Sequence, residues 1–275
     1  MKKQLLTLAS TLLILCLSGN TALASSLQFT NLSSDDFNSL MKDLSAYSSY
    51  SSVSGASGRG SIFGFEVGLL GSLTSTPNVN SLVQKVDSTQ NIPQLPGAGV
   101  LAAVSIPMGL SFELVFLPQT TVSNLNFQQV GGAVQYKVLD FPVSVSVKAH
   151  YTKTQFNFSQ VINNASTGNL PVNATVNFDN TLLGGDLMVG KDLIFFEPYA
   201  GVGFESASAN LGVTGSTTAN VFAPAFTAAQ TANSTPSSAR FLVGVEFKLL
   251  LIRLGAEYLS AYGTSRYNLK LSAGF

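Results

Sequence analysis

The sequence predicts an all-β fold, an antiparallel transmembrane β-barrel of about ten strands with a short N-terminal helix. Hydrophobic residues make up 45% of the 275-residue chain and charged residues only 10%, whereas soluble domains carry about 25% charged residues. After residue 24, no apolar run approaches the roughly 18 residues that indicate a spanning helix. Apolar residues instead alternate with polar ones, and strands closed into a barrel can also face lipid.

The first 24 residues have the pattern of a secretory signal peptide. A basic start at Lys2 and Lys3 precedes a mostly apolar stretch, residues 5–17, and the triplet 22–24 is a small-x-small cleavage signal. We expect cleavage after Ala24, which removes Cys16, the one cysteine of the chain. A lipoprotein signal is the alternative, but leucine stands before this cysteine where such signals carry a small residue. The exported chain therefore relies on burial or a membrane for stability rather than on disulfides.

Residues 25–60 form a separate segment that the sequence predicts to lie in the periplasm. Ser33 or Ser34 can cap a helix whose first turn carries two aspartates. Apolar residues then recur at helical spacing: Phe37, Leu40, Met41, Leu44 and Tyr47. The Ser/Gly-rich stretch 48–60 is interpreted as a flexible linker. We expect the helix to rest against the barrel mouth or to lie partly inside it.

From residue 61 to residue 275 the period of the pattern changes to two, as expected of half-buried strands. The cleanest row, residues 143–151, alternates apolar Val147 and Tyr151 with inward-facing Ser144, Ser146 and Lys148. Alternating rows begin near residues 63, 100, 110, 130, 143, 183, 198, 241, 252 and 267. Short and long connections follow each other along the chain, as in barrels with short periplasmic turns and long outer loops. An even number of strands places the N- and C-terminal ends of the barrel segment on the same, periplasmic side.

The last strand, Tyr-Asn-Leu-Lys-Leu-Ser-Ala-Gly-Phe, alternates apolar residues and ends on Phe275. It resembles the closing strand of bacterial outer-membrane barrels, and stretches 64–68, 197–203 and 254–258 look like those of uncharacterised small barrels of Gram-negative bacteria. The resemblance implies that Phe275 is the signal recognised by the barrel-assembly machinery. It also implies insertion in the cell outer membrane, with lipid and lipopolysaccharide as partners. It implies no activity.

Charged residues in the predicted strands fall mostly on the polar, inward parity, and seven acids oppose seven bases. They are Glu66, Glu113, Asp186, Glu197, Glu205, Glu246 and Glu257 against Lys137, Lys148, Arg240, Lys248, Arg253, Arg266 and Lys270. The predicted lumen network comprises Glu66, Glu113, Lys148, His150, Asp186, Glu246, Arg253, Glu257 and Lys270. A ten-stranded lumen is narrow, so we expect these charges to pair and fill it. A narrow polar conduit is the alternative.

His150 is the one histidine, and a membrane-embedded hydrolase using it is a further alternative. Catalysis needs a nucleophile or water and an orienting carboxylate, and only Glu113 or Asp186 on other strands could supply the latter. The sequence otherwise predicts no enzyme, no cofactor, no metal site and, from its zero net charge, no nucleic-acid partner.

Three functions stay open at this point. A structural or surface-interaction barrel is favoured, with the uncharged loop 209–237 as an adhesive tip or a variable solvated loop. The second is a channel or conduit for small or apolar solutes with the N-terminal helix as a stopper. The hydrolase is the third.

Overall fold

The computed structural model describes residues 33–59, 63–86, 88–89, 91–122, 125–164, 170–215 and 231–275. The predicted signal peptide and its cleavage site lie outside these ranges. The helices are α1 (Ser34–Ser48) and α2 (Pro77–Val86). The strands are β1 (Gly64–Ser75), β2 (Gln94–Ile106), β3 (Leu110–Val122), β4 (Leu125–Leu139), β5 (Ser144–Asn164), β6 (Leu170–Gly190), β7 (Phe196–Gly215), β8 (Thr231–Ser234), β9 (Ser237–Leu249), β10 (Ile252–Ala261) and β11 (Thr264–Gly274).

The strands form one closed antiparallel barrel. Each strand from β1 to β7 pairs with the next along the chain, and β9 pairs with β10 and β10 with β11. The first and last strands close the ring, with Glu66 opposite Gly274 and Thr74 opposite Arg266. Strands β8 and β9 both pair with β7, so they are two parts of one interrupted barrel strand. Counted in this way, the described chain has the ten strands that the sequence predicts.

The two faces of the wall differ as a transmembrane barrel requires. On β5, Val147 and Tyr151 point outward and are 44% and 46% exposed, whereas Ser146 and Lys148 point inward and are 0% and 6% exposed. The same alternation runs along β1, where the burial of successive residues switches from Gly64 onward. A shift of one residue would exchange the two faces. The strand register predicted for residues 143–151 is therefore confirmed.

Three neighbouring strands are longer than the sequence pattern predicts. Strands β5, β6 and β7 have 21, 21 and 20 residues, about twice the roughly ten needed to cross the membrane. On β5, the outward residues change from apolar to polar after Tyr151, beginning with Lys153 and Gln155. Much of the predicted loop 157–174 is thus paired strand, which forms a sheet projecting beyond the apolar band. Residues 216–230, the middle of the uncharged loop, lie outside the described residues.

Helix α1 begins where the sequence predicts. Ser33 is the N-cap, its hydroxyl accepts from the Asp36 backbone N–H at 3.1 Å, and Asp36 completes a capping box. The helix packs against α2, which lies in the long connection between β1 and β2. This end of the bore, opposite the short turns, is called the outer end. Of the two places expected for the helix, the barrel mouth and the barrel interior, the interior is the one observed. No helix in the described part of the chain is long and apolar enough to cross a membrane.

Candidate functional site

The lumen is occupied by residues 34–59, which are called the plug here. It comprises α1 and an extended segment, residues 49–59, that descends through the bore towards the short-turn end. Residues 45–57 are all buried, so the prediction of a flexible linker is wrong. Serine, alanine and glycine predominate in this segment, and their small side chains fit the narrow space left inside ten strands. At Gly55 the chain passes so close to the Glu197 carboxylate that any Cβ would collide with it.

Arg59 lies at the short-turn end of the plug and is the centre of the largest charge cluster. Its Nε donates to Glu66 at 2.6 Å and its Nη2 to Glu113 at 2.8 Å. Both carboxylates also contact wall cations, with Lys270 Nζ at 2.8 Å from Glu66 and Lys148 Nζ at 3.2 Å from Glu113. All five side chains are at most 5% exposed. The plug thus supplies a charge that the wall carboxylates share.

Glu246 extends this cluster along the wall. Its carboxylate lies 3.1 Å from Lys270 and 3.4 Å from Arg253, and Arg253 lies at 4.0 Å from Glu66. Glu197 forms a neighbouring group near the same end, where it contacts Lys248 at 2.9 Å and accepts from the Ser57 backbone N–H at 2.7 Å. The Ser57 hydroxyl donates to it as well.

A second cluster surrounds Arg240 higher in the bore. Its guanidinium lies 3.0 Å from Glu205 and 3.0 Å from Asp186. It also donates to the Tyr50 carbonyl oxygen at 2.9 Å. Glu205 in turn accepts from the Ser49 hydroxyl at 2.7 Å. This cluster therefore joins the wall to the plug, as the Arg59 cluster does.

Hydrogen bonds to backbone carbonyls complete the attachment of the plug. Residues 49–59 belong to no strand ladder, so their buried carbonyls need other donors. Arg266 Nη1 donates to the carbonyls of Tyr47 and Ser49 at 2.7 and 2.6 Å, and Gln135 donates to the carbonyl of Gly55 at 3.0 Å. Between the plug and strands β1–β4 and β11 lies a cavity of about 20 Å³, which is room for about one water molecule.

Glu257 differs from the other wall carboxylates. It accepts from the hydroxyls of Ser51 at 2.7 Å and Tyr199 at 3.0 Å, and from the Asn268 amide at 3.2 Å. It lies in the lumen as predicted, but neutral donors from both plug and wall hold it. The predicted pairing across the lumen is therefore present for Glu66 and Glu113, whereas Glu257 is satisfied without a cation.

His150 lies beneath the plug. Its ring stacks on Tyr50 with centroids 5.6 Å apart and an interplanar angle of 16°. Arg240 Nη1 lies 3.0 Å from its Nε2, and Asp186 at 3.6 Å. Because a guanidinium can only donate, Nε2 is the acceptor and its lone pair is occupied. The ring is 2% exposed.

At the outer end, α1 is attached to α2. The Asp43 carboxylate accepts from the backbone N–H groups of Asn78 and Val79 at 2.7 and 2.9 Å, which are free donors at a helix N-terminus. Burial raises the pKa of Asp43 despite these hydrogen bonds. A hydrogen bond from Lys85 lowers the pKa of Asp36 on the exposed side of the same helix pair.

The apolar face of α1 fills the outer mouth. Side chains of α1, α2 and the walls of β5–β7 form one buried cluster: Phe37, Leu40, Met41, Tyr47, Val79, Leu82, Val83, Ile92, Phe156, Phe178, Ala209 and Leu211. The apolar residues that recur at helical spacing in the sequence thus form the contact face of α1. Its partner is the inside of the barrel.

All nine residues of the predicted lumen network lie inside the barrel, on strands β1, β3, β5, β6, β9, β10 and β11. Arg59 is not among the predicted lumen residues, because it stands in a Ser/Gly-rich stretch interpreted as a linker. Its signal was that it is the one charged residue between positions 48 and 60. Within the described ranges, no group of three or more His, Cys, Asp or Glu side chains is placed to hold a metal ion.

A family model described as "Family of unknown function (DUF6588)" matches residues 13–275. No curated protein matches the chain. Solved structures with a similar shape include the translocator domain of the autotransporter NalP from Neisseria meningitidis, at 7% identity and TM-score 0.47, covering 80% of this chain and 90% of that one.

Two further similar structures are an outer-membrane protease and a transporter. The protease OmpT from Escherichia coli is 9% identical, with TM-score 0.42 and coverage of 78% of this chain and 96% of its own. The toluene transporter TodX from Pseudomonas putida is 10% identical, with TM-score 0.32 and coverage of 91% and 99%. Likenesses at this level carry no argument about activity.

Proposed function

The chain belongs to the DUF6588 family of unknown function, and from that premise we propose a role based on its own geometry. In this role the chain forms a closed, non-conducting outer-membrane barrel. It holds a projecting sheet, strands β5–β8, at the cell surface for interaction with external partners. Lipid and lipopolysaccharide surround its apolar band. The observation that carries the proposal is the filled lumen.

The plug has the properties of a permanent filling. Two charge clusters, centred on Arg59 and Arg240, join it to the wall at different heights of the bore. Removing the plug would leave Glu66, Glu113 and Glu205 with fewer partners in a region of low dielectric, where uncompensated charge is costly. A barrel built in this way favours structure and display over conduction.

The projecting sheet supplies the surface for display. It continues the barrel hydrogen bonding up to the pair Asn164 and Leu170, and its described outward residues Lys153, Gln155 and Asn157 are polar and exposed. Residues 153–164 at ~3.3 Å each extend roughly 40 Å along the strand. Such a paired, polar extension suits contact with a macromolecule outside the membrane.

Planar-bilayer recordings test the closed lumen. We expect the purified barrel to give small, brief currents with little preference between cations and anions, because the described residues form no ring of one charge sign along an open path. In intact cells, Gln155→Cys should react with a membrane-impermeant maleimide. Large, steady and ion-selective openings would refute the closed state, and an unreactive Gln155→Cys would refute display at the surface.

A conduit for apolar solutes is the second candidate, and the apolar cluster at the outer mouth favours it. Here α1 would be a stopper whose apolar face occupies the space that a solute takes. Asn38 on α1 accepts a hydrogen bond from Ser234 on β8 at 2.9 Å, so a cysteine at each position can test the movement. Loss of N-phenylnaphthylamine uptake on disulfide formation would support the conduit, whereas we expect unchanged uptake.

We further propose that the chain is not an enzyme. His150 is covered by Tyr50, and its Nε2 accepts from Arg240, so the ring offers neither a free base nor access for a substrate. A lipase or protease activity that His150→Ala abolishes would overturn this part of the proposal.

In this proposal the chain is exported and assembled as the sequence predicts, and the signal peptide is removed after Ala24. Phe275 pairs with Phe65 through two backbone hydrogen bonds of 3.0 Å, and its ring is 67% exposed. We expect deletion of Phe275 to lower the amount of folded barrel in the outer membrane and to raise the unfolded amount in the periplasm. Heat-modifiable migration on gels measures both, and wild-type levels would contradict its role as the assembly signal.

A further inference from the structure

The short-turn end of the barrel carries an exposed apolar side chain at the tip of each turn. They are Met108 between β2 and β3, Phe141 between β4 and β5, Ile194 between β6 and β7, and Leu250 between β9 and β10. Their exposed fractions are 86%, 90%, 81% and 100%. Phe63 and Phe275, where the chain enters and leaves the barrel, are 64% and 67% exposed at the same end. These six residues are called the apolar rim.

Turn geometry does not account for these residues. Met108, Ile194 and Leu250 have φ angles of 76°, 63° and 56°, in the left-handed region that favours glycine or asparagine. A β-branched residue such as Ile194 is especially unsuited to it. The apolar side chains therefore need a physical reason outside the turns themselves.

The apolar rim continues the lipid-facing band. An outward row such as Val143–Tyr151 spans about nine residues of the strand. At ~3.3 Å per residue and a tilt of 35–45°, these cover roughly 23 Å along the membrane normal. An apolar band in this class of barrel is ~25 Å tall. Two of the turn tips extend the rows without a polar break, since Met108 lies between Ile106 and Leu110, and Leu250 between Leu249 and Leu251.

Charged groups lie beside the rim rather than on it. Lys137 pairs with Asp140 at 2.8 Å, and Lys248 with Asp192 at 2.8 Å. Apolar tips interspersed with partly exposed charges match the interfacial zone of a bilayer, where apolar groups reach acyl chains and charged groups meet lipid headgroups.

We propose that the apolar rim is a lipid-binding surface, inserted into the headgroup–acyl boundary of the leaflet at the short-turn end. Its occupant is phospholipid. A second copy in the same bilayer would meet this barrel side by side, along the strand faces, and would leave the turn tips uncovered. The inference does not depend on whether the lumen conducts.

Tryptophan fluorescence tests the rim directly, because the chain contains no native tryptophan. Leu250→Trp and Met108→Trp report on the rim, Val147→Trp on the lipid-facing band and Gln155→Trp on the projecting sheet. Each variant is folded into phosphatidylcholine vesicles, with heat-modifiable migration as the check of folding. Vesicles are prepared with bromine near the headgroup end of the acyl chains, with bromine near their centre, and without bromine.

We expect both rim variants to lose most of their emission with shallow bromine, to lose less with central bromine and to resist acrylamide. Val147→Trp should respond more to central bromine, and Gln155→Trp should be quenched only by acrylamide. Rim tryptophans as open to acrylamide as Gln155→Trp would overturn the proposal. Protection from acrylamide without bromine quenching would also overturn it: dependence on protein density would indicate a second copy, and dependence on added periplasmic extract would indicate a protein partner.

Discussion

Replacing Arg59 by methionine is expected to lower the free energy of unfolding by about 3 kcal/mol, the lower end of the ~3–5 kcal/mol cost of breaking a buried ion pair. The guanidinium serves Glu66 and Glu113, and both carboxylates are fully buried. The loss is at the lower end because Lys270 and Lys148 remain beside them. Urea unfolding in vesicles measures the change, and bilayer recordings should show longer openings as the plug loosens.

Two further variants make this result specific. Arg59→Met combined with Glu113→Gln also removes a carboxylate that has lost its guanidinium partner, and should recover part of the lost stability. Lys85→Met breaks the exposed pair with Asp36 and should cost at most about 1 kcal/mol. A stability for Arg59→Met equal to that of Lys85→Met would show that the plug contributes little to holding the barrel.

Placing arginine at Val147 is expected to cost about 2–4 kcal/mol, the value for a charged side chain on the lipid face near the midplane. Val147 is the central residue of the outward row 143–151 and is 44% exposed to the surroundings of the barrel. Gln155→Arg is the matched control, because the same strand has left the apolar band there and the new charge meets water. Equal unfolding free energies for the two variants would place the membrane elsewhere on β5.

The wall of the barrel could be predicted because each wall residue faces one of two environments, the lipid outside or the polar lumen inside. Val147 faces lipid and Lys148 faces the lumen, so apolar and polar residue types alternate along the strand. The inward location of Glu66, Asp186 and Lys270 follows from the same rule. Their individual partners do not, because pairing across the bore depends on how the strands are staggered.

The plug could not be predicted, since a short serine-rich segment is equally suited to water and to a polar lumen. Only the surroundings of Arg59, assembled from distant strands, decide between the two. The length of β5 was missed for a related reason. Beyond Tyr151 the outward residues Lys153 and Gln155 are polar like the inward Thr152 and Thr154, so the contrast between alternate residues that reveals a strand fades there.

The course of the plug also constrains the order of events in biogenesis. The chain runs from α1 at the outer mouth down the bore to Arg59 and then turns into β1, the strand that seals against β11. Once that seam has zipped, residues 34–59 are encircled by the wall. Residues 34–59 must therefore be in position before β11 pairs with β1. Closure of the seam between these two strands is then the last step of barrel assembly.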